Sequence, residues 1–176
     1  MRLTPIESPR RPLVRLLYWS MRRQFGKAIM PFKVIFARLP SAIPSQLGIY
    51  WGLGRGLPID GELELLLKTH TSSLNGCAFC VDIGRAMATY RGNTLEKVDA
   101  IAEWRTNPLF SEAERAALAY VDAMIAGPEV PDDVFNAVRK HYSEREVVEL
   151  TVLVATYIMH NRVFSALKVD LEPKKS

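Results

Sequence analysis

Two helix-start signals of the same type in the C-terminal half of this chain restrict its possible folds most strongly. Ser111 is followed three residues later by Glu114, and Ser143 is followed in the same way by Glu146. A Ser and a Glu at this spacing form a capping box, which satisfies free backbone N–H groups at the start of a helix. Each box precedes a long apolar segment, and the first segment stops at Gly127, a common C-terminal signal. This half of the chain is therefore predicted to be helical.

Further helices are predicted from apolar spacing and breaker residues, and no segment combines strand-like alternation with hairpin turns. With 48% hydrophobic and 24% charged residues, the composition is that of an ordinary soluble globular protein. The sequence therefore predicts an all-α fold. The predicted helices cover residues 10–27, 44–53, 62–74 with Asp60 as its cap, 77–90, 94–104, 111–126, 131–142 and 143–167.

Positive charge is concentrated at the N-terminus. Residues 1–38 carry nine Lys and Arg residues against the single acid Glu7, a net charge of about +8. No zinc-finger spacing, RNP signature or Gly-rich phosphate loop accompanies this charge, so no nucleic-acid partner is predicted. We interpret residues 1–24 as a basic amphipathic arm that packs on its own domain or on a neighbouring subunit, without membrane insertion. Its predicted inward residues are Leu13, Leu16, Leu17 and Met21.

Targeting signals are not convincing in this chain. Arginines recur every few residues up to Arg38, which leaves no uninterrupted apolar region of the secretory type. The apolar run at residues 151–159 is too short to span a bilayer. We therefore expect a cytoplasmic protein, with a disordered tail at residues 170–176.

Both cysteines of the chain, Cys77 and Cys80, lie in one C-x-x-C that follows Asn75-Gly76. This breaker places Cys77 at the start of a helix and Cys80 about one turn inside it. At that position the helix dipole and free N–H groups favour a thiolate, and the second sulfur can close a disulfide on the first.

Reversible dithiol–disulfide chemistry is therefore the main hypothesis for this pair. Two small core residues are the competing interpretation. A metal site is not predicted, because the three histidines, His70, His141 and His160, supply no second ligand pair of suitable spacing. No cofactor is predicted either.

The segment SSLNGCAFCVDIGRAMA resembles the signature of the carboxymuconolactone decarboxylase and alkylhydroperoxidase D-like family, whose motif is Glu, eleven residues, Cys-x-x-Cys, three residues, His. Residues 25–40 and the C-terminal half are also similar to this family, so the resemblance covers residues 25–169. It implies an alkylhydroperoxidase D-like helical domain that assembles into trimers or hexamers. It also implies reduction of a small hydroperoxide, in which Cys80 attacks, Cys77 resolves and a dithiol donates electrons.

Two positions depart from the family motif. Leu65 stands where the family has its glutamate, and Gly84 stands where it has its histidine. Both members of the proton relay are therefore absent from their expected places. Asp82, His70 and Glu62, in that order, are the candidates to replace them as acid–base groups near the thiols. Gly84→His is expected to restore a base one turn from Cys80 and to give a modest gain in peroxide turnover. If packing or a different ligand requires glycine, the histidine is expected to destabilise the oligomer without a gain.

Three functions are compatible with these features. The first is a thiol-dependent peroxidase or disulfide reductase that uses the Cys-x-x-Cys pair. The second is a non-enzymatic oligomeric module for redox sensing or ligand binding, which the missing relay favours. The third is a decarboxylase-type lyase, which the absence of an acid–base pair disfavours. The apolar stretch at residues 147–158 predicts a homo-oligomer in each case.

Overall fold

The computed structural model describes residues 2–56, 60–91 and 95–171, without the side chains of residues 24, 25, 50, 51, 53–56, 90 and 91. Within these ranges the chain is helical and has no strand, which confirms the all-α prediction. The α-helices are α1 (Pro12–Phe25), α2 (Ile43–Gly56), α3 (Gly61–Leu74), α4 (Ala78–Arg91), α5 (Leu95–Asp99), α6 (Glu112–Ala126), α7 (Asp132–Arg139) and α8 (Glu144–Ala166).

The chain divides into two compact units. The first unit comprises Met1–Arg55 together with Phe164–Ser176, and the second comprises Gly56–Val163. The predicted segmentation into an arm at 1–24, a domain at 25–169 and a tail stays a prediction. Residues 172–176 of that tail lie outside the described residues.

In the first unit, α1 packs through the face that carries Val14, Tyr18 and Met21. These side chains recur every three or four residues, as expected for one face of a helix. The Tyr18 hydroxyl donates to the backbone oxygen of Ile6 at 2.8 Å, which ties the preceding segment to the helix. Burial and the charge of Glu7 raise the pKa of Tyr18 to about 12.

The predicted inward face of α1 was partly wrong. Leu13 and Leu16 are 52% and 59% exposed, whereas Val14 and Tyr18 are buried. Apolar residues lie on both sides of this helix, so apolarity alone does not identify the buried side. Tyr18 can lie on the buried side because its hydroxyl donates a hydrogen bond to a backbone oxygen although its ring is buried.

A short π-helix, Phe32–Phe36, follows α1 in the first unit. Its wider turn closes with the Ala37 N–H donating to the Phe32 oxygen at 2.9 Å. Directly after it, Arg38 donates to the backbone oxygens of Thr4 and Val34 at 2.7 and 2.8 Å. Arg38, one of the N-terminal positive charges, thus binds the segment before α1 to the π-helix.

The second unit is built around α3, which packs against α4 and α6. Leu65, Leu66 and Leu67 of α3 are almost completely buried, and so is Leu118 of α6. Leu74, at the end of α3, is 47% exposed. Further buried side chains of this core are Leu63, Val121, Val138, Val147, Leu150, Leu153 and Val154.

Both capping boxes are present. Ser111 and Glu114 exchange backbone-to-side-chain hydrogen bonds of 2.7 and 3.2 Å, and Ser143 and Glu146 do so at 2.7 and 3.3 Å. Asp60 holds the N-cap position of α3, but its side chain makes no capping bond. Local sequence therefore located these helix starts correctly.

The predicted helix at 94–104 is broken. The chain forms α5 and then a 3-10 turn, Ile101–Glu103, while Thr94 lies outside the described residues. Arg115 of α6 donates to the backbone oxygens of Trp104 and Asn107 at 3.2 and 2.6 Å. Arg115 thus satisfies two backbone carbonyls in the connection between the 3-10 turn and α6.

The last helix, α8, has 23 residues and is long and apolar enough to cross a membrane by length and composition alone. The apolar run at residues 151–159 is shorter than α8, because polar residues on both sides of that run also belong to the helix. Leu150, Leu153 and Val154 are buried in the second unit. The core helix of a soluble protein has the same properties, so this length carries little weight.

Candidate redox site

The two cysteines lie at the junction between α3 and α4 and form a disulfide with a Cα–Cα distance of 5.3 Å. Gly76 ends the connection with a φ of 66°, a left-handed conformation that favours glycine. The Cys77 N–H then donates to the Ser72 oxygen at 2.9 Å, and the Val81 N–H donates to the Cys77 oxygen at 3.1 Å as α4 begins. The prediction that both cysteines lie at the start of a helix is therefore confirmed.

Both cysteines are buried, with 3% of Cys77 and 6% of Cys80 exposed. The start of α4 favours a thiolate through its dipole, whereas burial disfavours any charged form. A pair of sulfurs one turn apart can pass between dithiol and disulfide by exchanging two electrons. Their burial restricts this chemistry to a small oxidant, or to a state in which the site opens.

The two relay positions carry groups that cannot transfer protons. Leu65 is 2% exposed in the core. Gly84 is buried against α3, where an added β-carbon would stand 2.6 Å from Oγ1 of Thr69. A side chain in the family position therefore collides with Thr69. The structure thus favours the interpretation that packing requires glycine at position 84.

Glu62, one candidate replacement, is held in an ion-pair network. Its carboxylate lies 2.6 Å from Nζ of Lys97, which also lies 2.7 Å from the carboxylate of Glu114. Burial alone would lower the pKa of Lys97, but the two carboxylates raise it. Glu62 therefore has a structural partner of its own, and its predicted role at the thiols stays a prediction.

His70, the second candidate, belongs to another cluster. Its Nε2 lies 2.6 Å from Oδ1 of Asp122, whose other oxygen accepts from Arg105. Burial lowers the pKa of His70, although Asp122 acts in the opposite direction. The imidazole is therefore neutral near pH 7, with its Nε2–H directed at Asp122.

Asp82, the first candidate, lies on the first turns of α4 and is half-buried. It makes no hydrogen bond or ion pair with any residue in the described part of the chain. Its carboxylate is therefore the least engaged of the three candidates. A position two residues after Cys80 puts it on another side of the helix, so it can reach the sulfurs only through water.

A polar layer between α3 and α8 was missed in the sequence. The Tyr157 hydroxyl donates to Glu64 at 3.3 Å, and the Ser72 hydroxyl contacts Oδ1 of Asn161 at 3.3 Å. Lys68 lies over the Tyr157 ring, 5.3 Å from its centroid. The polar residues at positions 64, 68 and 72 recur every four residues along α3, which was the available signal.

This layer contacts the redox site through Ser72, whose backbone oxygen accepts from Cys77. It also reaches α4, because Nζ of Lys68 lies 3.6 Å from Sδ of Met87. The buried His160 is close enough to Lys68 that burial and this positive charge lower its pKa. Glu64 and His160 are thus further titratable groups near α3.

Comparison with known proteins shows which family this chain resembles. Residues 48–123 match the carboxymuconolactone decarboxylase family model. The chain is 29% identical over 162 residues to the uncharacterised protein YnjA of Escherichia coli, covering 91% of this chain and 88% of YnjA. Among the described residues, no group of three or more His, Cys, Asp or Glu side chains could hold a metal ion.

Two solved structures have the same fold. One is ATU0492 from Agrobacterium tumefaciens, a protein of unknown function described as a putative antioxidant defence protein AhpD. The match has a TM-score of 0.74 and 28% identity and covers 80% of this chain and 98% of that protein. The other, the debrominase Bmp8 in complex with 2,3,4-tribromopyrrole, has a TM-score of 0.82, 23% identity, and coverage of 98% and 92%. The second likeness concerns the fold alone. Because the family model spans both cysteines and the helices α3 to α5, this chain belongs to the carboxymuconolactone decarboxylase family.

Proposed function

We propose that this protein is a thiol-dependent peroxidase or disulfide reductase that works through Cys77 and Cys80. The disulfide between these residues is the observation that carries the proposal, because it is the oxidised product of such a reaction. The solved relative named as a putative antioxidant defence protein lends support from outside the chain. A cytoplasmic location would supply the dithiol donor that the cycle needs.

The proposed cycle balances in three steps. An acid–base group takes the proton of the Cys80 thiol, and the resulting thiolate attacks the terminal oxygen of a hydroperoxide. The O–O bond breaks, the same group returns the proton to the alkoxide, which leaves as the alcohol, and Cys80 becomes a sulfenic acid. The Cys77 thiol then displaces water and closes the disulfide. A dithiol donor reduces this disulfide by exchange and is itself oxidised to a disulfide.

We assign the proton transfer in the first step to Asp82, acting through a water. Glu62 and His70 are each engaged with an oppositely charged or hydrogen-bonding partner, whereas Asp82 has no such partner among the described residues. Asp82→Asn should slow oxidation of the reduced protein by about 10²-fold, the usual contribution of a general base. Glu62→Gln is the matched control and should leave this rate unchanged. Equal rates in the two variants would remove Asp82 from the mechanism.

A thiol-counting experiment tests the function itself. Reduced protein is mixed with hydrogen peroxide or cumene hydroperoxide, and lost thiols are compared with peroxide consumed. We expect two thiols lost per peroxide, turnover when dithiothreitol is added, and no consumption by Cys80→Ser. Cys77→Ser should stop after one event and hold a sulfenic acid that dimedone traps. Undiminished turnover in both variants would reject the assignment.

Reductive debromination is a second candidate, because Bmp8 shares the fold across nearly the whole chain. In that reaction two thiols and a bromopyrrole yield the debrominated ring, bromide, a proton and the same disulfide. Using 2,3,4-tribromopyrrole as the oxidant in the assay above separates the two activities. If neither oxidant consumes thiols faster than the Cys77→Ser, Cys80→Ser double variant, a non-enzymatic module is the better description.

A further inference from the structure

A cleft of about 470 Å³ opens in the second unit beside the end of α3, and neither cysteine lines it. Its apolar walls include Leu74, Trp104 and Ile125. Its polar side chains are His70, Ser73, Asp122 and Arg105. Clefts of this volume, mostly apolar with a few converging polar groups, are typical of small-molecule sites.

Arg105 supplies the donors that remain available in this cleft. Its guanidinium stacks 4.3 Å from the centroid of the Trp104 ring and donates to one oxygen of Asp122. No other described residue accepts a hydrogen bond from it, and its side chain is 65% exposed. A guanidinium held flat by a ring and a carboxylate presents its other N–H groups in a fixed plane.

Asp122 does not repel an anion as an isolated carboxylate would. Oδ1 of Asp122 contacts Nε2 of His70, and its other oxygen accepts from Arg105. Because burial lowers the pKa of His70, the imidazole is neutral and the cluster carries one positive and one negative charge. The donors of Arg105 at the mouth and the apolar walls behind them therefore decide which ligand fits.

We propose that this cleft binds a small monocarboxylate with an aromatic or branched apolar body. The carboxylate accepts from the outward N–H groups of Arg105, and the body lies against Trp104, Leu74 and Ile125. Paired N–H donors match the two oxygens of a carboxylate, and a bond to a charged acceptor is stronger than one to a neutral acceptor. The proposal does not depend on the redox function.

The arrangement favours binding rather than hydrolysis. Ser73 lines the same cleft three residues after His70 on α3, and Asp122 completes a set of three residues found in hydrolases. Ser73 and His70 make no hydrogen bond to each other, so the serine hydroxyl is not activated by the imidazole. His70 instead fixes Asp122, which in turn positions Arg105.

The test uses the full-length protein labelled with ¹⁵N and the indole N–H signals of its three tryptophans. The Trp104 signal is assigned by its loss in Trp104→Phe. The probes are benzoate and its neutral isostere benzamide, each titrated to about 10 mM, above the millimolar dissociation constant of a weak site. We expect a saturable shift of the Trp104 signal with benzoate and at least about tenfold weaker binding of benzamide.

Arg105→Met should weaken benzoate binding about tenfold, through loss of the charged donor. Arg85→Met is the matched control, because Arg85 is a similarly exposed arginine that pairs with Asp99 away from the cleft. Ala126→Leu, at an exposed lining position, should fill the cleft and abolish the shift. The Cys77→Ser, Cys80→Ser double variant should bind benzoate normally.

A shift that does not saturate would overturn the proposal, and so would equal binding of benzoate and benzamide by the parent protein. Neither of these outcomes depends on a variant that has to fold. Benzoate binding by Arg105→Met at parent affinity would also overturn it. Loss of peroxide turnover with intact benzoate binding would affect the proposed function alone.

Discussion

Gly84 on α4 lies so close to Thr69 on α3 that a β-carbon at position 84 would stand 2.6 Å from the Thr69 Oγ1 atom. Thr69 is itself 1% exposed, and its hydroxyl has no hydrogen-bond partner among the described residues. An added side chain at position 84 therefore requires Thr69 or one of the two helices to shift.

Overpacking a tight core costs about 1–3 kcal/mol. The intrinsic helix preference of alanine over glycine offsets about 1 kcal/mol of this cost, so Gly84→Ala should destabilise the protein by a net of about 0–2 kcal/mol. Thr69→Ala in the same chain should restore stability, because it removes the colliding oxygen. Thr69→Val, which keeps an atom at that place, should not. Urea denaturation of the parent protein, the single variants Gly84→Ala and Thr69→Ala, and their double variant gives the coupling energy, and additive effects would contradict the packing argument.

Gly84→His should not improve peroxide turnover in the parent background. The imidazole has to pass Thr69 before it can approach Cys80, so we expect a less stable protein with unchanged or lower activity. Turnover measured beside Gly84→Ala, which has the same collision without a base, separates the two effects. A gain specific to histidine would show that α3 and α4 can move apart.

Reduction of the Cys77–Cys80 disulfide should lower the free energy of unfolding by no more than about 2 kcal/mol, because the bond closes a very short loop. The reduced thiols remain in the helical start of α4, whose backbone hydrogen bonds do not depend on the disulfide. Thermal unfolding with and without a phosphine reductant measures the difference. The double serine variant should show none, whereas collapse of the parent protein on reduction would indicate a structural staple.

Stability should decrease as the pH falls below about 6.5. Burial lowers the pKa of both His70 and His160 from their ordinary value of 6.5, so below that pH the unfolded chain binds protons that the folded chain does not. Each such group contributes up to about 1.4 kcal/mol per pH unit. His70→Gln should reduce the slope of unfolding free energy against pH, as measured by urea titration. A slope equal to that of the parent would mean that His70 is protonated in the folded protein.

We expect a homo-oligomer that buries the exposed apolar stripe of α8. Val148, Val152 and Met159 are 61%, 46% and 40% exposed and lie on one side of the helix. Val152→Asp should shift the protein toward monomers in light scattering, because a charge on a buried interface is costly. Phe135→Ser, at a separate exposed apolar position on α7, is the control and should not. A monomeric parent protein at micromolar concentration would contradict the expectation.

The sequence by itself determined the features that depend on neighbouring residues. The capping boxes at Ser111 and Ser143 are complete within four residues, and the Asn-Gly break places Cys77 and Cys80 at a helix start without help from the rest of the chain. The all-α class and the family resemblance follow from such local signals.

Only the tertiary structure decided which side chains meet across helices. The pairing of His70 with Asp122 joins residues 52 positions apart, and the contact between Thr69 and the bare backbone of Gly84 explains a glycine that local helix preference disfavours. Arg115 of α6 donates to the Trp104 carbonyl, a contact that joins the connection before α6 to that helix. Capping and breaking are short-range effects that the residue order specifies directly. Packing and buried polar contacts depend on the relative placement of helices, which spacing along one helix does not contain.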